Sequence, residues 1–215
     1  MDKNKAVVIL GTAHLSTTPG KRSPDGKFRE AEFSRLVVRD LKARLEAYGF
    51  KVFVDYLPLA PCQEMMIGNS VTQNRELLYR VKAVNDVCKR FGARNCCYVS
   101  IHVNAASNDG KWHSATGWEA YTTIGKTNAD KLADCLYDAA KRNLVGKKIR
   151  TDWSDGDIDK ESNFYVIQHT SCPAVLTENF FQDTKADVAF MTSEAGRQAI
   201  VRTHLEGIIN YFKKL

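Results

Sequence analysis

Ala6-Val7-Val8-Ile9-Leu10 is an unbroken aliphatic and β-branched run, the pattern of a strand covered on both faces, and it stops at Gly11. A loop rich in Gly, Pro and Ser carries the chain to about Arg29. From Glu30 the apolar positions fall at Phe33, Leu36, Val37, Leu41 and Leu45, steps of three and four that predict an amphipathic helix closed by Gly49. Lys51 to Tyr56 reads as the next strand. Beyond a loop around Pro58 and Pro61, Leu77, Val81, Val84, Cys88 and Phe91 predict a second helix ending near Gly92. Cys96 to Ile101 is a buried strand with His102 directly after it, and Trp118 to Thr123 is a fourth strand.

Ala129, Leu132, Leu136 and Ala139 predict a third helix, and Gly146 to Ser162 reads as a polar surface loop. Asn163 to Gln168 and Ala174 to Thr177 are short extended runs, the latter followed by Glu178; a last helix carries Ile200, His204, Ile208 and Tyr211 on one stripe. Strands alternating with helices imply right-handed crossovers. The expected architecture is α/β: a single domain over residues 1–215, with a mostly parallel central sheet and helices on both faces.

Composition narrows the picture. Of 215 residues, 44% are apolar and 26% charged, enough for a sizeable core and too balanced for disorder. Lys and Arg number 31 against 25 Asp and Glu, a net charge of +6 that favours an anionic partner without choosing it. No nucleic-acid motif accompanies the charge, so nucleic-acid binding is not expected. No apolar run approaches the ~20 residues that cross a bilayer, and none follows the basic start, so neither membrane insertion nor a signal peptide is expected. The six cysteines lack CxxC pairing and are read as reduced. Adjacent strand residues point to opposite faces, so Cys96 and Cys97 cannot share a metal.

In open α/β sheets ligands bind beyond the carboxyl ends of the strands. His14, Glu30, His102 and Glu178 all fall there, which predicts that they meet at one rim. Two imidazoles and a carboxylate suit zinc and leave a fourth position open, with Glu178 free to move a proton. The same residues also admit plainer roles. A histidine at a strand end can be a loop residue, and a glutamate in a first helical turn can simply favour the helix dipole.

The ordered segments carry a resemblance. His14 after the first strand, Glu30-Ala31-Glu32-Phe33, Arg80-Val81-Lys82-Ala83-Val84-Asn85, Ser100-Ile101-His102-Val103-Asn104-Ala105 and Pro173-Ala174-Val175-Leu176-Thr177-Glu178 together resemble the zinc-dependent N-acetylmuramoyl-L-alanine amidases of the Amidase_3 type. The resemblance implies Zn2+ held by His14, Glu30 and His102, with Glu178 as general base. It implies hydrolysis of the amide joining N-acetylmuramic acid to the L-alanine of the stem peptide. The resemblance implies Glu30 rather than the competing Glu32, because Arg39 and Leu41 then fall where the family's helix has its Arg and Leu; side chains two apart on a helix diverge, so only one of the two can ligate. Gly11-Thr12-Ala13-His14-Leu15-Ser16 departs from the family's usual Asp-Pro-Gly-His-Gly-Gly, and Gly146 to Ser162 has no clear counterpart.

The partner implied is peptidoglycan, met by a monomer at the bacterial cell wall after export, processing or phage lysis. Asn104 is a candidate substrate contact or a turn-stabilising residue. His169 is a candidate ligand or a surface residue, and His113 and His204 read as structural. Lys141, Arg142, Lys147, Lys148 and Arg150 are a solvated helix end or an attraction for anionic wall. Trp112 and Trp153 could stack on sugars, whereas Trp118 reads as core. Cys172, beside Pro173, lacks a helix N-terminus to activate it as a nucleophile. Alternatives are a zinc peptidase or deacetylase acting on another amide, and a wall-binding module without catalysis. The loops Pro58 to Ser70 and Gly146 to Ser162 are candidate gates.

Overall fold

A computed structural model describes residues 5–55 and 73–215. In chain order the elements are β1 (Val7–Thr12), α1 (Glu30–Tyr48), β2 (Lys51–Val54), α2 (Gln73–Phe91), β3 (Cys96–Asn104), β4 (Trp118–Thr122), α3 (Ala129–Asn143), β5 (Lys160–Glu161), α4 (Tyr165–Gln168), β6 (Ala174–Phe181), α5 (Lys185–Thr192) and α6 (Glu194–Lys214). Among the described residues the strands form one sheet in the order β2-β1-β3-β6-β4-β5. β1 runs parallel to β2 and β3, and β3 to β6; β4 is antiparallel to β6, with β5 parallel to β4. The α/β architecture with a mostly parallel sheet is therefore the one the pattern predicts.

The two-residue period of the strands builds two cores. Val8, Leu10, Cys97, Val99 and Ile101 pack beneath α1, α3 and α6, against Leu41, Leu45, Leu132, Leu136 and Ile200. Val7, Ile9, Cys96, Tyr98 and Leu176 face the other way, against Val84 and Cys88 of α2 and Val166 and Ile167 of α4. Cys96 and Cys97 thus point to opposite faces, as their adjacency requires. The described cysteines, Cys88, Cys96, Cys97, Cys135 and Cys172, are all unpaired and buried; Cys62 lies outside the described residues. No described helix is long and apolar enough to cross a membrane.

Several expectations need correction. The run Asn163 to Gln168 is not a strand: Tyr165–Gln168 forms one helical turn, with Ile167 and Gln168 N–H groups both donating to the Phe164 carbonyl. A short apolar run with no partner strand does not distinguish the two conformations. Lys160–Glu161, inside the expected loop, pairs with Tyr121 and Thr122 as an edge strand. Leu36, assigned to the buried stripe of α1, is 47% exposed. β3 and β6 run past Ile101 and Thr177 to Asn104 and Phe181, so His102 and Glu178 sit within strands and not after them. β2 ends at Val54, and the candidate gate Pro58 to Ser70 lies outside the described residues.

His204, on the buried stripe of α6, explains why an ionisable residue is tolerated there. Its Nδ1 lies 2.8 Å from the Ile200 carbonyl, which can only accept, so Nδ1 carries the proton and Nε2 faces the Thr177 hydroxyl at 2.9 Å. Burial pushes its pKa down to about 4 from 6.5. Between those values the unfolded chain binds a proton that the folded chain refuses, so folding weakens as pH falls. The expected loss is on the order of 3 kcal/mol by pH 4. Chemical denaturation of wild type and H204Q between pH 7 and pH 4 checks this: the variant should lose the steeper part of the acid dependence.

α3 and α6 approach closely at Gly207, where a Cβ would lie 2.9 Å from the Leu136 Cα and 2.6 Å from its Cδ2. G207A should therefore destabilise by about 1–3 kcal/mol despite its better helix propensity. A thermal melt should show Tm falling by several degrees, ~2–4 °C per kcal/mol for a chain of this size.

Candidate metal centre

Glu30 occupies the first turn of α1, where its carboxylate reaches over the carboxyl-end rim of the sheet. It is 1% exposed. Its Oε1 accepts from the Val103 backbone N–H at 3.0 Å, lies 3.2 Å from His102 Nδ1 and lies 3.6 Å from His14 Nε2. One donor atom from each of His14, Glu30 and His102 can be chosen so that all lie within 4.8 Å of one another, close enough to hold one metal ion. Ser100 Oγ, 3.1 Å from His102 Nε2, gives that nitrogen a partner and leaves Nδ1 toward the carboxylate.

The electrostatics suit a cation. Burial pushes the His14 pKa down to about 3, against the pull of Glu30, so the ring is neutral near pH 7 as a ligand must be. Burial also opposes ionisation of Glu30, but its hydrogen bond to His102 and the charges around it hold the carboxyl below the ordinary range. Glu30 Oε2 is buried without a hydrogen-bond partner, 3.9 Å from Lys21 Nζ. A buried carboxylate oxygen without a hydrogen bond, beside the neutral His14 ring, is what a bound cation would satisfy.

His14 is held in a left-handed backbone conformation, φ 41°, costly for a side chain with a Cβ. Its carbonyl accepts from Arg35 Nη2 and Arg80 Nη2, each at 3.3 Å, and the preceding Ala13 N–H donates to Ser34 Oγ at 2.9 Å. Beneath it Arg80 pairs with Asp55 at 3.0 Å and Glu76 at 2.8 Å, while Tyr98 Oη donates to Asp55 at 2.8 Å. These groups are almost fully buried, so the loop rests on a polar cluster that solvent does not loosen.

Glu178 stands directly across from His102 in the parallel register of β3 and β6. Burial and the neighbouring Glu30 and Glu119 carboxylates push its carboxyl well above the ordinary range, with Lys21 opposing. Its Oε2 is buried without a hydrogen-bond partner. His14, Lys21, Leu77, Phe164, Leu176 and Glu178 are among the residues lining a cleft of about 250 Å³ beside the ligand group. A potential metal site, a buried carboxyl group beside it and an adjoining cleft together suit metal-assisted hydrolysis.

A family model described as N-acetylmuramoyl-L-alanine amidase, Amidase_3, matches residues 8–210. The chain belongs to this family. It is similar to the endolysin of Bacillus phage SPP1, 29% identical over 150 residues that cover 66% of this chain and 49% of the endolysin. It is also similar to the N-acetylmuramoyl-L-alanine amidase CwlM of Bacillus licheniformis, 28% identical over 153 residues, 69% of this chain and 51% of CwlM. The chain spans about half the length of these curated relatives. Its fold matches the crystal structure of an N-acetylmuramoyl-L-alanine amidase from Clostridium difficile 630, with TM-score 0.75, 20% identity and 98% of each chain covered.

Within this Amidase_3 fold, His14, Glu30, His102 and Glu178 converge, whereas Glu32 points outward with its side chain 61% exposed. Asn104 does not line the cleft; its Nδ2 donates to Glu119 at 2.6 Å and its Oδ1 accepts from Ala105 N at 2.8 Å. His169 stacks on Tyr165 at the surface, and His113 pairs with Asp109 at 2.9 Å. Trp118 is fully buried and Trp153 is 63% exposed. Cys172 packs in the core under α2 and α4. Sequence reasoning missed Lys21, the Arg80–Asp55–Glu76 cluster and Glu119. Arg80 was legible in principle, because a charge on the apolar stripe between Leu77 and Val84 announces a buried ion pair.

R80M would leave Asp55 and Glu76 buried without their counter-ion, with an expected cost of about 3–5 kcal/mol. D55N/R80M should recover part of it. Urea unfolding of the two variants and wild type measures both effects.

Proposed function

We propose that this chain is a catalytic domain that hydrolyses the amide between N-acetylmuramic acid and the L-alanine of the peptidoglycan stem, acting as a monomer on the bacterial cell wall. The convergence of His14, Glu30 and His102 beside Glu178 in an Amidase_3 fold carries this reading. The donor set, two imidazoles and a carboxylate with one oxygen lacking a hydrogen bond, fits Zn2+. When bound, zinc supplies Lewis acidity that activates a water and polarises the scissile carbonyl.

The protein's own groups do the rest. Glu30 is held by Val103 N–H and His102, and His102 by Ser100, so the ligands are oriented before metal arrives. Glu178 takes the proton from the attacking water and passes it to the departing alanine nitrogen, a task suited to a carboxyl whose affinity for protons is raised. The apolar wall of Leu77, Phe164 and Leu176 limits water beside the scissile bond.

Mass spectrometry of defined muropeptides, incubated with zinc-loaded and with chelated protein, tests the reading. Release of stem peptide beginning at L-alanine, abolished by chelation, is expected. E178Q should retain zinc while kcat falls by about 10²–10⁴-fold, and H102A should lose zinc. Intact muropeptides alongside cleavage of unrelated peptides or acetylated sugars would overturn the substrate assignment.

A further inference from the structure

A second charged group sits along the same row of the sheet. Glu119 of β4 is directly opposite Glu178 of β6, which is directly opposite His102 of β3, so the three side chains share one face. Glu119 is 1% exposed, and its Oε1 accepts from Asn104 Nδ2 at 2.6 Å and from Tyr121 Oη at 3.0 Å. Its Oε2 meets two cations, Arg150 Nε at 2.7 Å and Lys160 Nζ at 3.2 Å. One buried carboxylate oxygen is therefore shared by two cations, with Asp152 near Lys160 and Glu178 beside Glu119.

Both cations are held in place and incompletely used. Their side chains are 30% and 24% exposed. The Arg150 guanidinium lies 5.2 Å over the Phe181 ring, and its two terminal nitrogens make no hydrogen bond among the described residues. A guanidinium clamped through Nε presents a preorganised fork that matches a carboxylate, and Lys160 adds a point charge beside it.

We propose that Arg150 and Lys160 form a subsite for a carboxylate on the peptide side of the scissile amide. The inference rests on the amidase reading above. It assigns the acid to the peptide because the lactyl carboxyl of muramic acid is consumed in the amide itself and the remaining sugar groups are neutral. The Glu119 position lies two strand spacings from His102, roughly 10 Å, about the reach of three extended residues at ~3.5 Å each. The recognised acid therefore belongs to the first residues of the stem, and β5, the edge strand carrying Lys160, exists in part to present it.

The test uses two muropeptides that differ only in a free carboxylate or a carboxamide on the second stem residue. Wild type should favour the free acid in kcat/KM by about tenfold, chiefly through KM, as for one charge-assisted contact. In K160M the ratio should shrink to within about twofold of unity. R150Q, which leaves Glu119 balanced by Lys160 alone as K160M leaves it balanced by Arg150, should show the same collapse. Equal cleavage of both substrates by wild type, or a preference that survives in both variants, would overturn the subsite while leaving the amidase reading intact. Cleavage of neither substrate by zinc-loaded wild type would overturn that reading and the subsite with it.

Discussion

A single buried oxygen organises the rim of this sheet. Glu30 Oε1 is shared by the Val103 backbone and His102 and lies close to His14, so it joins the loop after β1, the start of α1 and the end of β3. A carboxylate so thoroughly removed from water is tolerable only where hydrogen bonds and positive charge compensate it. Its position in the first turn of α1 contributes, since the N-terminal peptide dipoles point their positive ends at it. The remaining unpaired oxygen is the open term in this balance, and it turns a structural compromise into a place for a cation.

Support for that arrangement comes from two polar clusters on either side. Beneath His14, Arg80 ties Asp55, Glu76 and the His14 carbonyl together, and it carries the strain of the left-handed residue. Across β6, Asn179 Nδ2 donates to the His102 carbonyl at 3.0 Å while Trp118 Nε1 donates to Asn179 Oδ1 at 3.0 Å, pinning the irregular register between His102 and Asn104. Most polar groups of the rim are buried and hydrogen-bonded, whereas Glu30, Glu76 and Glu178 each keep one oxygen without a hydrogen bond.

Much of this was legible in the residue pattern, and the failures have physical causes. The aliphatic strands, the α1 stripe and its Gly49 terminus follow directly from periodicity, and strand ends in an α/β sheet have a known side for ligands. Ala174 to Thr177 was read too short because Glu178 and Asn179 break the apolar run, although polar residues complete the strand when a site or a network claims them. The helical turn at Tyr165 and the strand at Lys160 were missed because runs this short take their conformation from tertiary partners. Glu119 lay hidden between Trp118 and Ala120: alternation put it on the opposite face, but nothing local revealed that Arg150 and Lys160 would meet it there.

The buried thiols carry a further consequence. Cys88, Cys96 and Cys172 lie in one core and Cys97 and Cys135 in the other, each kept apart from oxidants by packing alone and not by covalent pairing. Folded, they pack as small buried side chains. Once the chain opens in an oxidising medium, the same thiols become reactive toward one another, and mispaired crosslinks compete with refolding. Loss of the native state outside a reducing compartment is then a one-way event, so the working lifetime there is governed by the rate of opening rather than by the folding equilibrium.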